Sequence, residues 1–242
     1  MLILGLVLAG CVSPPAAPDI VESGTAVLLL GEQHDEPGHQ KLQREMVQAL
    51  AGRGMLAAVA LEMAESGAST TGLAAQSNEQ EVQRALRWDS DGWPWAAYAP
   101  AVMAAVAAGV PVVGANLQRD RLRAAMADAT LDTLLPGPAI KAQQQAIRIG
   151  HCGLLPENQI APMARVQIAR DRTMAATLAG LVVPGKTVLL IAGGGHVDPE
   201  VGVPRHLPAG LASKSVVLPA PLAQKRDYCE DMRRHVAPKP AT

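Results

Sequence analysis

The sequence predicts an α/β fold in which a mostly parallel β-sheet is flanked by helices. Short apolar segments, several of them bounded by glycine, recur along the chain, as expected of buried parallel strands. Longer segments with helical spacing of apolar residues separate them, and parallel strands require crossovers of this kind. The chain of 242 residues is also long enough to bury a sizeable core.

The predicted strands are the most concentrated apolar segments of the chain. They are expected over 25–30, 55–61, 110–113 and 187–192, with 215–218 as a possible fifth. Pro111 places the start of the third strand near a sheet edge or a strand end, because proline cannot donate a backbone hydrogen bond. The first two strands and the helix between them form a βαβ unit, for which a right-handed crossover is expected.

The predicted helices fill the segments between these strands. They are expected over 37–50, 79–87, 96–108, 119–129, 139–149 and 162–181. Pro162 suits the first turn of the last helix. The stretch 119–181 has no clear strand, so we expect a helical insertion or subdomain there. One α/β domain should span 25–226, and a charged tail should follow over 227–242.

Composition excludes several classes of protein. The chain has 21 Lys and Arg against 22 Asp and Glu, and this near-zero net charge of −1 argues against nucleic-acid binding. Hydrophobic residues make up 49%, which excludes a disordered chain. No apolar run reaches the roughly 18–20 residues of a spanning helix. With three Trp, two Tyr and no Phe, the core must consist mainly of Ala, Val, Leu and Met.

The first residues carry a targeting signal. A short apolar run leads into Leu8-Ala9-Gly10-Cys11, which resembles the lipobox of bacterial lipoproteins. The resemblance implies a signal peptide over 1–10, lipidation of Cys11 and a Pro-rich tether over 11–24. It places the protein in the cell envelope, anchored by lipid to the outer membrane and facing the periplasm. No Lys or Arg precedes Cys11, and the alternative is a buried first strand with an incidental cysteine.

Cys152 and Cys229 are the remaining cysteines of the chain. In an exported protein an even pair permits one disulfide. Two unpaired buried thiols fit the sequence almost as well, because the sequence does not give the distance between them.

Polar residues follow four of the predicted strands. Glu32 and His34 follow the first, Glu62 the second, Asn116 and Arg119 the third, and His196 the fourth. The carboxyl ends of parallel strands meet at one edge of a sheet, so we expect a shared ligand site there. The pattern Gly-x-x-His occurs twice, at 31–34 and 193–196. His34, His196, Glu32 and Glu62 could therefore hold a divalent metal such as zinc or manganese.

Six segments, in order, resemble the ChaN-like family of haem-binding lipoproteins. They are GEQHDEPGHQ, WPWAAYAP, GANLQRD, GHCGLLPE, QIARDRTMA and AGGGHVDPEVGVPRHL, within residues 25–207. The family belongs to a wider set with Tiki proteases, TraB-type proteins and erythromycin-esterase-like proteins. The resemblance implies an α/β fold with a helical portion. The motif positions that it carries over are Glu32, His34, His39, Glu62, Asn116, Arg119, His151, Arg170, Asp171 and His196.

The same resemblance implies haem stacked face to face in a homodimer. A tyrosine of one subunit would ligate the iron, and a histidine of the other would lie near the propionates. Tyr98 and Tyr228 are the two tyrosines available, and Tyr98 is preferred because it lies in a matched segment, with His151 as the fallback. The aromatic cluster of Trp88, Trp93, Trp95 and Tyr98 could pack on a porphyrin face or form a small satellite core.

Three hypotheses follow. The leading one is a membrane-anchored lipoprotein for haem or iron uptake, with Arg119 and Arg170 as cations for haem and an outer-membrane haem receptor system as a possible partner. The alternative is a Tiki-like metal-dependent hydrolase that uses the two Gly-x-x-His motifs, strand-end Glu residues and His151. Asp171 could orient a strand-end histidine in either case. The third is a lipoprotein whose strand-end residues merely stabilise the fold.

Overall fold

The computed structural model describes residues 24–219 and 228–236. The predicted signal peptide, the predicted lipidation site Cys11 and nearly all of the predicted tether lie outside the described residues. So do residues 220–227 and 237–242 of the predicted domain end and tail. Within the described part, no helix is both long and apolar enough to cross a membrane.

A five-stranded, wholly parallel sheet forms the centre of the described fold. Its spatial order is β3-β2-β4-β1-β5. The strands are β1 Val27–Glu32, β2 Leu56–Glu65, β3 Val112–Asn116, β4 Thr187–Gly193 and β5 Ser213–Val217. The predicted α/β class with a parallel sheet is confirmed.

Seven α-helices of the described chain connect and flank these strands. They are α1 Pro37–Gly52, α2 Glu79–Ala85, α3 Trp95–Ala107, α4 Leu122–Ala127, α5 Gly137–Gly150, α6 Glu157–Leu181 and α7 Tyr228–Val236. Short 3-10 turns lie at Arg119–Arg121, Ala129–Thr133, Gly194–Val197 and Val203–His206.

Successive side chains of β1 point to opposite faces of the sheet, so the core has two layers. Leu28 and Leu30 face α1 and α3, where they meet Met46 and Val102. The intervening residues of β1 face α6 on the other side of the sheet, which contributes Met174 and Leu178 among others. Because both faces are covered, β1 and β4 are buried along their whole length, as parallel sheets require.

Four strands end later than the sequence predicts, and β3 continues to Asn116 and β4 to Gly193. β1 continues to Glu32, and β2 continues through Glu62 to Glu65. A carboxylate usually marks the end of a buried strand, but these side chains find hydrogen-bond partners inside the protein, so the strand does not have to end. The third strand begins at Val112, directly after Pro111, as its missing N–H demands.

The helical stretch after β3 differs from the predicted insertion. Its first part, α4, α5 and the beginning of α6, packs on itself through residues such as Ala125, Ile147 and Ile160. The second half of α6 covers the sheet, so it belongs to the main sandwich. The prediction that Pro162 opens this helix is wrong. The helix begins at Glu157, and Pro162 lies inside it.

A disulfide joins Cys152 to Cys229, with their Cα atoms 5.4 Å apart. It settles the alternative between a bridge and two free thiols that the sequence left open. The bridge connects the turn after α5 to α7, 77 residues later in the chain. Tyr228 and His151 are therefore each one residue away from a bridged cysteine.

A substitution where β2 and β3 lie close together tests this packing. A Cβ atom at Gly114 would overlap the backbone carbonyl oxygen of Glu65, which cannot move without breaking the sheet. We expect Gly114→Ala to lower the free energy of unfolding by about 3 kcal/mol, measured by urea denaturation. Gly180→Ala is the matched control, because it lies in α6 with open space around it and should be neutral or slightly stabilising. Equal stability of the two variants would contradict the packing described.

Candidate functional site

Three of the five strands deliver acidic or imidazole side chains to one edge of the sheet. Glu32 is the last residue of β1, Glu62 lies in the second half of β2, and His196 lies in the turn after β4. β4 lies between β1 and β2 in the sheet, so the three side chains are neighbours. The edge is the one at which parallel α/β sheets bind ligands.

Glu62 and His196 form the buried centre of this site. The Glu62 Oε1 atom lies 3.3 Å from His196 Nε2, and its Oε2 atom accepts the Gly193 N–H at 2.7 Å. On the far side of the ring, His196 Nδ1 lies 2.6 Å from Asp171 Oδ1. The imidazole is thus held between two carboxylates, and its orientation is fixed by Asp171, as the sequence predicted.

Glu32 organises a second group of polar side chains beside the first. Its Oε1 atom accepts a hydrogen bond from the Tyr98 hydroxyl at 2.7 Å and lies 2.7 Å from His34 Nδ1. Its Oε2 atom accepts a hydrogen bond from the Gln43 side chain. Three partners on one carboxylate explain how Glu32 can be buried at the end of β1.

His34 joins the two groups into one network. Its Nε2 atom lies 3.7 Å from Glu62 Oε2, while its Nδ1 atom contacts Glu32. The ring is partly exposed and packs edge-on against Trp93, with ring centroids 4.8 Å apart. A continuous chain of acidic and basic groups therefore runs from Asp171 to Tyr98.

The network sets the charge of its members. Burial alone would lower the pKa of His196, but Glu62 and Asp171 raise it to about 10, so the ring is an imidazolium at neutral pH. Burial alone would raise the pKa of Glu62, but the His196 charge and hydrogen bonding lower it to about 2. The His34 pKa is raised, because Glu32 and Glu62 outweigh burial. Burial raises the pKa of Asp171 despite His196.

A cleft of about 570 Å³ opens above the network. Its polar wall includes His34, Glu62, Arg170 and His196, and its apolar wall includes Trp93 and Ile147. A second cavity of about 380 Å³ shares Glu62, Trp93 and Arg170 with the first. The two therefore adjoin along the edge of the sheet.

The metal-centre hypothesis is not supported. Among the described residues, no group of three or more His, Cys, Asp or Glu side chains is arranged to hold a metal ion. The proposed donors His34, His196, Glu32 and Glu62 instead face one another as imidazole–carboxylate pairs at 2.7–3.7 Å. A metal ion would need these lone pairs to converge on one point, and the pairs direct them at each other.

Asn116, the last residue of β3, and Arg119, which follows it, lie in the second cavity and not in the network. The Asn116 side chain accepts the Leu117 N–H at 2.8 Å. The Arg119 guanidinium is exposed and pairs with Asp89. These two positions therefore border the site without contacting its buried acids and bases.

Two of the remaining histidines have separate roles. His39 is buried in α1, where its Nδ1 accepts the Gln33 N–H at 2.9 Å and its Nε2 lies 3.0 Å from the Pro219 carbonyl oxygen. It joins the loop after β1 to the segment after β5. His151 lies at the rim of the cleft, and its Nδ1 bonds the Ile147 carbonyl oxygen at 2.8 Å.

The aromatic cluster is mainly a satellite of the core. Trp88 packs against Trp95 with ring centroids 5.0 Å apart and donates its indole N–H to the Trp93 carbonyl oxygen. Trp95 donates its indole N–H to Glu79. Trp93 is the member of the cluster that reaches the cleft.

The two tyrosines occupy opposite environments. Tyr98 is 1% exposed, and burial together with Glu32 raises the pKa of its hydroxyl. Its hydroxyl donates to Glu32, and Tyr98 is not among the described residues that line the cleft. Tyr228 is 61% exposed, at the start of α7 beside the disulfide.

One residue of the network was missed by the sequence reading. Gln43 is fully buried and bonds Glu32, yet helix α1 was predicted without giving it a role. The signal was available, because Gln43 is spaced three, four and seven residues before the buried Met46, Val47 and Leu50. A polar residue on the buried face of a helix needs an internal partner.

Comparison with known proteins agrees with this description. A family model described as haem-binding uptake, Tiki superfamily, ChaN matches residues 22–207. No curated protein matches the chain. A solved structure, described as cofacial haem binding to ChaN of Campylobacter jejuni, is 27% identical. It has a TM-score of 0.62, and the match covers 80% of this chain and 80% of that chain.

The raised histidine pKa values predict how stability depends on pH. His196 and His34 keep their protons in the folded protein at pH values where the unfolded chain has lost them. The stability that they contribute is complete below about pH 6.5 and is lost as the pH rises toward 10. We expect the free energy of unfolding to fall over this range, by roughly 1 kcal/mol per pH unit from His196 alone.

Urea denaturation at a series of pH values between 6.5 and 9 measures this slope. Glu62→Gln should give a shallower slope, because it removes a carboxylate that raises both pKa values. A stability that rises with pH in the unsubstituted protein, or equal slopes in the two proteins, would contradict the charge assignment.

Proposed function

Because the chain belongs to the ChaN family of haem-binding uptake proteins in the Tiki superfamily, we propose that it binds haem and handles it in the cell envelope. The proposal rests most directly on the position of Tyr228. Haem needs an axial ligand, apolar surface for the porphyrin and polar or cationic groups for the propionates. The residues around the disulfide offer a candidate for each of these three requirements.

The composition of the chain limits the candidates for the axial ligand of the iron. The chain has two tyrosines, and a phenolate oxygen suits ferric iron. Tyr98 is buried and bonded to Glu32, so we assign no ligand role to it, although the sequence favoured it. Tyr228 is exposed and held next to a chain segment that also carries a histidine. We therefore propose Tyr228 as the iron ligand.

The surroundings of Tyr228 supply apolar surface. Ile149 is 67% exposed and Leu154 is also exposed, and both flank the turn that contains Cys152. These two aliphatic side chains add apolar surface beside the bridge. His151 lies in the same turn and has a free Nε2 atom, since only its Nδ1 bonds the Ile147 carbonyl oxygen. A porphyrin face and a propionate thus have suitable contacts here.

We further propose that the chain is lipid-anchored through Cys11 and dimerises around haem. The lipobox-like sequence supports an anchor at the outer membrane, facing the periplasm. The description of the Campylobacter jejuni protein as cofacial supports two haems face to face. An exposed apolar surface around Tyr228 suits such a dimer, because pairing two copies would cover it. An outer-membrane haem receptor system is the proposed source of the haem.

Hemin titration of the purified chain tests the assignment of the ligand. Tyr228→Phe should weaken hemin binding at least about tenfold and remove the absorption of a phenolate–ferric complex, because the phenyl ring has no oxygen to coordinate iron. The matched control is Tyr98→Phe, which removes the other hydroxyl of the same type from a buried site. It should lower stability but leave the hemin spectrum unchanged.

The opposite pattern, loss of binding in Tyr98→Phe alone, would show that the buried hydroxyl moves to the iron. Absence of any change in the Soret band on adding hemin to the unsubstituted protein would contradict haem binding itself.

The disulfide should also matter for haem affinity. The double substitution Cys152→Ser and Cys229→Ser frees α7 from the turn after α5 while keeping both Tyr228 and His151. We expect hemin affinity to fall by about tenfold, because the ligand is no longer held beside the rest of the surface. Hemin titrations well below the melting temperature of each protein measure this. Unchanged affinity would mean that Tyr228 is positioned without the bridge.

A further inference from the structure

The cleft above the strand-end network is a candidate for a second ligand site. With a volume of about 570 Å³ it lies within the size range of small-molecule sites, and a cavity of about 380 Å³ adjoins it. Glu62, Trp93 and Arg170 line both spaces. These three side chains could therefore contact a ligand in either space.

The three buried carboxylates of the cleft already have internal partners. Glu32 is bonded by Tyr98, Gln43 and His34, Glu62 by Gly193 and His196, and Asp171 by His196. Asp198, at the rim, accepts the Glu200 N–H at 2.7 Å. The negative charges of the cleft are therefore compensated before any ligand enters.

Arg170 is the charged group of the cleft that lacks such a partner. Its Nε atom is buried and makes no hydrogen bond, and no ion pair of the described residues includes its guanidinium. Asp171 is influenced by its charge, but the Asp171 carboxylate is bonded to His196. A buried N–H without a partner is destabilising, and the planar guanidinium is suited to a carboxylate or a phosphate.

His196 is already paired with Glu62 and Asp171, and His34 lies against Glu32. Among the described residues that line the cleft, Arg170 is therefore the cationic group left to receive an anion. Trp93, Ile147 and Val201 add apolar surface to the lining. The volume exceeds what a single inorganic ion fills, so an organic body against these side chains is expected.

We propose that the strand-end cleft is a second ligand site, which binds a small organic anion through Arg170 and packs its apolar body against Trp93 and Ile147. The shared chemistry of the ligand is one carboxylate or phosphate group on an apolar body. His151 belongs both to this cleft and to the proposed haem surface, but Tyr228 is not among the described residues that line the cleft. The proposed anion contacts do not involve Tyr228, so a chain that binds no haem could still bind such an anion.

Equilibrium dialysis of the purified, haem-free chain tests the proposal with three naphthalene probes. They are 2-naphthoate, 2-naphthyl phosphate and the neutral 2-naphthalenemethanol. One of the anions should bind at one site per chain, at least about tenfold more tightly than the neutral probe. The tighter anion then identifies whether a carboxylate or a phosphate is preferred. Equal affinity for all three probes would overturn the proposal.

Matched variants on α6 locate the anion. Arg170→Gln should lower the affinity for the anionic probe at least about tenfold without changing the affinity for the neutral one. Arg172→Gln is the control, because Arg172 is exposed on the same helix and does not line the cleft. Arg170→Lys keeps the charge but not the planar guanidinium and should bind with intermediate affinity. Equal affinities for the anion in Arg170→Gln and Arg172→Gln would overturn the role of Arg170, provided that both variants melt as the unsubstituted protein does.

Hemin and Tyr228→Phe separate this site from the haem site. Tyr228→Phe should keep the anionic probe, and Arg170→Gln should keep hemin. If hemin displaces the probe and Arg170→Gln also weakens hemin binding, the anion at Arg170 is a haem propionate, and the proposal of a separate ligand is overturned. Failure of haem binding alone would leave the probe affinities, and hence this proposal, intact.

Discussion

The burial of Glu62 is the constraint on which the rest of the site depends. A carboxylate with a pKa near 2, buried inside the second strand of a parallel sheet, is stable only with opposite charge and hydrogen-bond donors around it. His196 provides the charge, and the Gly193 N–H provides a donor. The buried His196 requires Asp171 in turn, so α6, β2 and β4 are tied together by charge as well as by apolar packing.

The glycines of the repeated Gly-x-x-His pattern follow from the same crowding. A Cβ atom at Gly193 would lie 2.8 Å from His34 Nε2, and one at Gly31 would overlap Val197. Each glycine therefore leaves room for the turn and imidazole that follow the other strand. The repeated glycine allows the ends of two strands to lie close together. This packing role explains why the pattern can occur twice without forming a metal site.

The sequence predicted the fold class, the edge of the sheet and most of the network, because these depend on local apolar runs and on the rule for parallel strands. It misplaced Glu62 outside β2, since a buried carboxylate in a strand is acceptable only with partners that are remote in sequence, here Gly193 and His196. It also favoured Tyr98 over Tyr228 for iron, and the two features on which the proposal of Tyr228 rests are likewise remote in sequence. The hydrogen bond to Glu32 and the disulfide beside Tyr228 are both long-range contacts.

The family match and the proposed iron ligand cover different parts of the chain. The match ends at residue 207, and Tyr228 lies beyond it, while His151 lies inside it. The Cys152–Cys229 bridge connects these parts covalently, so a ligand outside the matched region still has a fixed neighbour within it. The strand-end network needs no such link, because its members all lie between Glu32 and His196. The buried network therefore depends only on contacts within the matched region, whereas the proposed haem surface also depends on the bridge to Cys229.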